Sequence, residues 1–242
     1  TSAQQEGNYN APLSICRAVV LYVFRTLVGA DIPLNEGCLK PIRIVAPVGS
    51  MINPTWPAAV IAGNTEVSQA IADCLYGALG VLAGSQATMN NFAWGNEQVQ
   101  NYETICGGMG ACEGSDGASA IQVHMTNTRM TDPEVLEARF PVHVEEMSIR
   151  RGSGGRGRWR GGDGVVRRLR FLEPMTATIL SFHRLTRAFG VAGGGEGAPG
   201  RNAVKRAGGH IEPLAGNDRV DLNAGDVIAI ETPGGGGWGK VV

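Results

Sequence analysis

The residues best suited to chemistry lie between Tyr102 and Arg129. His124, Thr126, Asn127, Thr128 and Arg129 crowd onto the end of an apolar segment, Ala118–Met125, that reads as a strand. Alternation along a strand places His124 and Thr126 on one face. Polar groups that finish a core strand cost free energy unless they are partnered. Either the fold satisfies them or a ligand does. A histidine can carry a proton near neutral pH, but one that follows an apolar strand is as often a hydrogen-bonded structural residue. Glu103 and Asp116 could act as acid–base carboxylates or could only order nearby loop amides, and spacing alone does not separate these roles. Asn90 and Asn91, after a long helix, are weaker candidates for binding.

Other patterns carry less. His124, His143, His183 and His210 have unrelated spacings, without the pairings of a metal site. Cys106 and Cys112 flank a glycine turn, where a nucleophilic thiolate would need an activating base. Glycines cluster at 107–117, 152–164, 190–200 and 234–239. Four phosphate cradles are implausible, so tight connections and crowded backbone crossings are the expectation. Gly234, Gly239 and Lys240 imitate a phosphate-binding loop, but Val241 stands at its final position and the required following helix is missing. Eight arginines between 150 and 170 suggest an RNA-binding tract. Their strand-like flanks point instead to the solvated face of an amphipathic strand.

These residues need elements to position them. The 242 residues suffice for one good core or two small ones. With 21 Lys+Arg against 22 Asp+Glu, no global field favours nucleic acid or an anionic membrane. The longest apolar run, Ala18–Phe24, is too short to span a bilayer. Five irregularly spaced cysteines favour a reducing, cytoplasmic compartment. The opening at Thr1 reads like the middle of something longer. Helical spacing runs through 12–28 and again through Thr65–Leu82, where Val67, Ile71, Cys74, Leu75, Ala78 and Leu79 share a face and Asn64 or Thr65 can cap. Asp132-Pro133-Glu134 starts a short helix that runs to about Arg139. Strands are expected at Ile42–Ala46, Val99–Ile105, Ala118–Met125, Val142–Arg150, Gly164–Leu172, Thr176–His183, Arg219–Leu222 and Asp226–Thr232. The fold class is α+β. A mixed part, 1–141, carries the candidate site, and a β-rich part, 142–242, follows across a soft boundary near Pro141.

Several segments together resemble the hydantoinase B/5-oxoprolinase family: Asn10-Ala-Pro-Leu, Gly63-Asn-Thr-Glu-Val-Ser-Gln, Ser85-Gln-Ala-Thr-Met-Asn-Asn, Tyr102-Glu-Thr-Ile, His124-Met-Thr-Asn-Thr-Arg and Thr232-Pro-Gly-Gly-Gly-Gly-Trp-Gly. The resemblance implies ATP-dependent opening of a cyclic amide such as 5-oxoproline or a hydantoin. A hydantoinase A-type partner with an ATPase-like fold would bind the ATP. It implies two alternatives: part of an acetone- or acetophenone-type carboxylase, or a non-catalytic scaffold that docks the ATPase. Members are substantially longer, and this chain matches their C-terminal half. A divalent metal, where used, would come from the missing N-terminal half. Under this resemblance His124 or Glu103 handles the proton, Arg129 stabilises developing negative charge and Asn127 fixes the amide oxygen. Thr126, Asp116, Asn90 and Asn91 complete the substrate wall.

Overall fold

A computed structural model of the chain describes residues 2–241. The first helix, α1 (Leu13–Leu27), follows Pro12 and buries Cys16, Val19, Val20 and Val23 on one stripe. That stripe packs on α2 (Ser68–Leu79), where Val19 and Val23 cluster with Ala72 and Tyr76, and with Leu82 just beyond the helix. Between the helices the chain is irregular, apart from a 3-10 turn at Glu36–Leu39 capped by the Asn35 side chain. The strand expected at Ile42–Ala46 belongs to no ladder. Flanking Pro41 and Pro47 restrict its pairing. Helix α2 is entered through a π-helical turn, Gly63–Val67, without the expected side-chain cap. It ends at Gly80 in the left-handed conformation.

Among the described residues nine strands form two antiparallel sheets. The first sheet orders β1 (Asn91–Gly95), β2 (Gln100–Thr104), β5 (Met175–Leu180) and β8 (Asn217–Leu222) as β2-β1-β5-β8. The second orders β3 (Val142–Arg150), β4 (Gly164–Phe171), β6 (Arg201–Lys205), β7 (Ile211–Leu214) and β9 (Val227–Glu231) as β3-β4-β9-β6-β7. The sheets share one core, in which Trp94 of the first meets Phe171 of the second edge-on at 5.5 Å. Strands on both sides of Pro141 pair in the first sheet, so the soft boundary expected there is crossed by hydrogen bonds. The short helix α3 (Pro133–Arg139) begins at Asp132, whose Oδ1 accepts from the amides of Glu134 and Val135. Together these elements make the α+β class expected.

Two further sequence expectations fail. In β4, Val165, Arg167, Leu169 and Phe171 face inward, so one arginine of the supposed solvated face is buried. Ala118–Met125 is not a strand; it makes a single bridge, Ile121 to Gly107. Ala120 and His124 take φ of 54° and 52°, which breaks any extended run.

The glycine clusters are backbone crossings. Residues 234–237 run between three other glycine-rich segments, with Gly108 N donating to Pro233 O (3.0 Å), Gly155 N to Gly235 O (2.8 Å) and Gly237 N to Gly195 O (2.9 Å). A Cβ on Gly235 would lie 2.0 Å from Met109 O, and one on Gly236 1.9 Å from Phe189 O. Only glycine permits such an approach. Gly236 N also donates to Gly84 O (2.7 Å), which ties the end of α2 and the segment after it to the sandwich.

Candidate functional site

The site is built on a polar face of α2. Glu66, Gln69, Asp73 and Tyr76 recur at helical spacing, from the π-turn through the helix, and all four are buried. The sequence suggested the opposite orientation. Of the apolar face expected inside, Cys74, Ala78 and Leu79 are exposed, and only Val67 is fully buried. A polar stripe can turn inward only if the rest of the fold supplies partners for it. Each of the four residues meets one.

Asp73 is the centre. Its Oδ1 lies 2.8 Å from His124 Nε2, with side chains 5% and 3% exposed. Its Oδ2 accepts from Ser85 N at 3.0 Å. A carboxylate on one imidazole nitrogen fixes the tautomer and leaves the other nitrogen free to act. That other nitrogen, Nδ1, faces the Tyr22 hydroxyl at 3.5 Å. Tyr76 stacks on the ring at 5.3 Å, and Tyr22 meets it edge-on at 6.0 Å. Burial, with the neighbouring Tyr76 and Asp73, pushes the Tyr22 hydroxyl well above its ordinary value, so it stays protonated. One turn earlier on α2, Gln69 Nε2 donates to Thr126 Oγ1 at 2.7 Å. His124 and Thr126 do share a direction, but they do so because a turn aims both at α2.

Glu66 extends the seam. Its Oε1 accepts from Thr88 Oγ1 (3.0 Å) and Asn91 Nδ2 (2.9 Å). Its Oε2, like Gln69 Oε1 and Gln86 Nε2, is buried without a hydrogen-bond partner among the described residues. Burial raises the Glu66 carboxyl to about 8, against the weaker pull of Thr88, Arg184 and backbone. Asn91 Oδ1 accepts from the Tyr102 hydroxyl at 2.6 Å. Asn90 donates to Gln86 Oε1 (2.8 Å) and Ile105 O (3.0 Å) and accepts from Arg184 Nη1 (2.9 Å). Asn90, His124 and His183 all hold positive φ, at 44°, 52° and 52°. Such conformations cost of order 1 kcal/mol or more and cluster at functional sites.

The structure thus gathers His124, Thr126, Asn90 and Asn91 along α2 and its neighbours, and separates the rest. Glu103 lies on β2 in a buried pair with Arg167 of β4, both side chains 1% exposed. Arg167 Nε and Nη2 each reach a carboxylate oxygen at 3.2 Å, and Thr131 N donates to Oε2 at 3.4 Å. Burial raises the Glu103 carboxyl while Arg167 opposes the rise. Glu103 therefore braces the segment after His124 rather than facing it. Asn127 and Arg129 are exposed on that same segment. Asp116 is exposed, and its Oδ1 accepts from Arg160 N at 2.7 Å, which orders a glycine loop. Cys106 is buried against Met130 Sδ, and burial lifts its thiol to about 11, far from a nucleophile's value.

The reading from sequence missed Glu66, Gln69, Asp73 and the two tyrosines. The signal was present as a second helical stripe, polar instead of apolar. Cofactor groups find little here. Among the described residues no three His, Cys, Asp or Glu side chains are placed to hold a metal ion. Most glycines of the four clusters abut other backbone instead of facing open space. No described helix is long and apolar enough to cross a membrane.

With this geometry established, comparison with known proteins is informative. A family model described as hydantoinase B/oxoprolinase matches residues 1–241. A 5-oxoprolinase of Dictyostelium discoideum is 45% identical over 234 residues, covering 97% of this chain and 18% of its own length. The ATP-dependent caprolactamase of Pseudomonas jessenii superposes with a TM-score of 0.86 at 22% identity, covering 99% of this chain and 45% of that one. A nucleotide-free acetone carboxylase structure gives 0.84 at 19% identity, covering 98% and 38%. At those identities the two structures attest to the fold alone. The chain spans less than half of each of these proteins.

Proposed function

The chain belongs to the hydantoinase B/oxoprolinase family, and from that membership we propose that it forms part of an ATP-dependent cyclic-amide hydrolase. It would act on 5-oxoproline or a hydantoin, in the cytoplasm, with a hydantoinase A-type partner and the N-terminal half of its own family. The observation that carries this reading is the buried Asp73–His124 pair beside polar atoms of Glu66 and Gln69 that lack partners. Such atoms are costly in a purely structural core and are useful where a ligand completes them.

ATP, bound by the partner, would supply activation of the amide oxygen as a phosphate leaving group. This chain's residues would do the remaining work. Asp73 holds His124 in the tautomer whose Nδ1 can take or return a proton. Tyr22 covers that nitrogen, and a modest movement of α1 would uncover it. Thr126, Asn90 and Asn91 line the seam. Asn127 would fix the amide oxygen and Arg129 would meet developing negative charge, both from the exposed segment that Glu103 braces. Asp116 would act by ordering the neighbouring loop.

The test is ADP release by the full-length protein with its partner, with and without 5-oxoproline or a hydantoin. We expect stimulation by the amide, and a loss of about 100-fold or more in kcat for His124→Ala in a complex shown to remain folded at the assay temperature. The near-complete burial of the His124 and Asp73 side chains favours a second reading, a scaffold that docks the ATPase. It requires the reverse, a folded His124→Ala complex that retains turnover. Stimulation by bicarbonate with a ketone, and not by the amide, would assign the chain to a carboxylase.

A further inference from the structure

A depression of about 530 Å³ opens between residues 181–186 and 215–217, with Tyr9 on its rim. Arg184 lines it. The guanidinium donates to Asn202 Oδ1 through Nε (3.2 Å) and Nη2 (2.9 Å), and through Nη1 to Asn90 Oδ1 (2.9 Å) and Phe182 O (2.8 Å). Every one of these acceptors is neutral. A guanidinium has five N–H donors, so one hydrogen on Nη2 remains. A largely desolvated cation held only by neutral oxygens is the local signature of a missing anion. Glu66 acts on Arg184 electrostatically, but its carboxyl, raised to about 8, is mostly neutral at physiological pH. Burial lowers Arg184 to about 9, so it remains charged there.

The surroundings suit a small ligand with an anionic end. The Tyr9 hydroxyl accepts from Asn217 Nδ2, which leaves its own proton to donate. His183 lines the wall with its Nδ1 engaged by Thr186 Oγ1 at 2.8 Å. Leu185 and Phe182, 99% and 40% exposed, provide apolar surface at the mouth. The depression adjoins the seam through Asn90, which binds Arg184 directly, and Asp73 also acts electrostatically on His183. We propose that this depression is an oxyanion-binding site in which Arg184, with Tyr9, holds a carboxylate or a phosphate. The carboxylate source would be the substrate, which rests on the ring-opening reading above. The phosphate source would stand without it.

The experiment is calorimetric titration of the full-length protein with 5-oxoproline, with 2-pyrrolidone as the same ring lacking a carboxylate, and with inorganic phosphate. Binding of 5-oxoproline at least 10-fold tighter than 2-pyrrolidone assigns a carboxylate site, and binding of phosphate alone assigns a phosphate site. In either case Arg184→Gln should weaken the anion at least 10-fold, and Tyr9→Phe, at the rim, should weaken it a few-fold. A wild-type readout guards against misfolding: the Arg184 Nε resonance should move during titration with the anion. Absence of binding by both anions, an unmoved resonance, or a folded Arg184→Gln protein with wild-type affinity would overturn the site. Because the titration measures binding alone, failure of the hydrolase reading shows separately, in the ADP-release assay, while phosphate binding here would still stand.

Discussion

Glu66 makes a quantitative prediction. The residue is 2% exposed, and its carboxyl accepts two hydrogen bonds on one oxygen and none on the other. The folded state therefore raises its pKa from 4.5 to about 8. A group with a raised folded pKa contributes stability that is fully present below the unfolded value and is lost as pH rises through the folded value. The loss runs at about 1.4 kcal/mol per pH unit between about 5 and 8, and reaches roughly 5 kcal/mol in all. That is a large share of the 5–15 kcal/mol typical of a domain. Glu66→Gln keeps the acceptor for Thr88 and Asn91 and removes the titration. Urea unfolding of both proteins from pH 5 to 9 should give similar stabilities at the acid end. The variant should then gain steadily on the wild type up to about pH 8. Curves that stay parallel would refute the argument, since other titrating groups are common to both.

Three further perturbations test other parts of the structure. Arg167→Met strands the Glu103 carboxylate in the core and should cost about 3–5 kcal/mol in urea unfolding, much of it recovered in the Glu103→Gln/Arg167→Met double variant; an unchanged single variant would contradict the buried pair. Gly235→Ala drives a Cβ to 2.0 Å from a carbonyl oxygen and should abolish soluble folded protein or cost more than about 4 kcal/mol, whereas Gly208→Ala, with nothing within 4 Å, should stay within about 1 kcal/mol. The Cys106 thiol, raised to about 11, should alkylate at pH 8 at least about 100-fold more slowly than an ordinary thiol and become reactive only on unfolding, as followed by mass spectrometry.

Local chemistry was legible wherever a residue's neighbours in sequence decide its state. Pro12 and the 16, 19, 20, 23 spacing define α1, Asp132-Pro133-Glu134 starts α3, and alternation marks β3 and β4. β1, β6 and β7 were not read from the sequence, and β7 contains Pro213, which argues against a strand. Glycine density correctly suggested backbone crossings, but not that segments some 120 residues apart would interleave.

The site was only half legible. His124, Thr126, Asn90 and Asn91 stood out as polar types next to apolar runs, whereas Asp73 and Glu66 looked like the outer face of an amphipathic helix. Periodicity identifies two faces of α2 but does not say which one turns inward. Its direction is settled by partners 20–60 residues away: Thr88 and Asn91 for Glu66, Thr126 for Gln69, His124 for Asp73. The same holds for Arg167, whose burial is affordable only because Glu103 arrives from the other sheet. Sequence by itself determined the family, the helices, part of the strand set and the residue types available for chemistry. Tertiary structure alone decided which of them are paired, because the free energy of a buried polar group depends on its partner and not on its position in the chain.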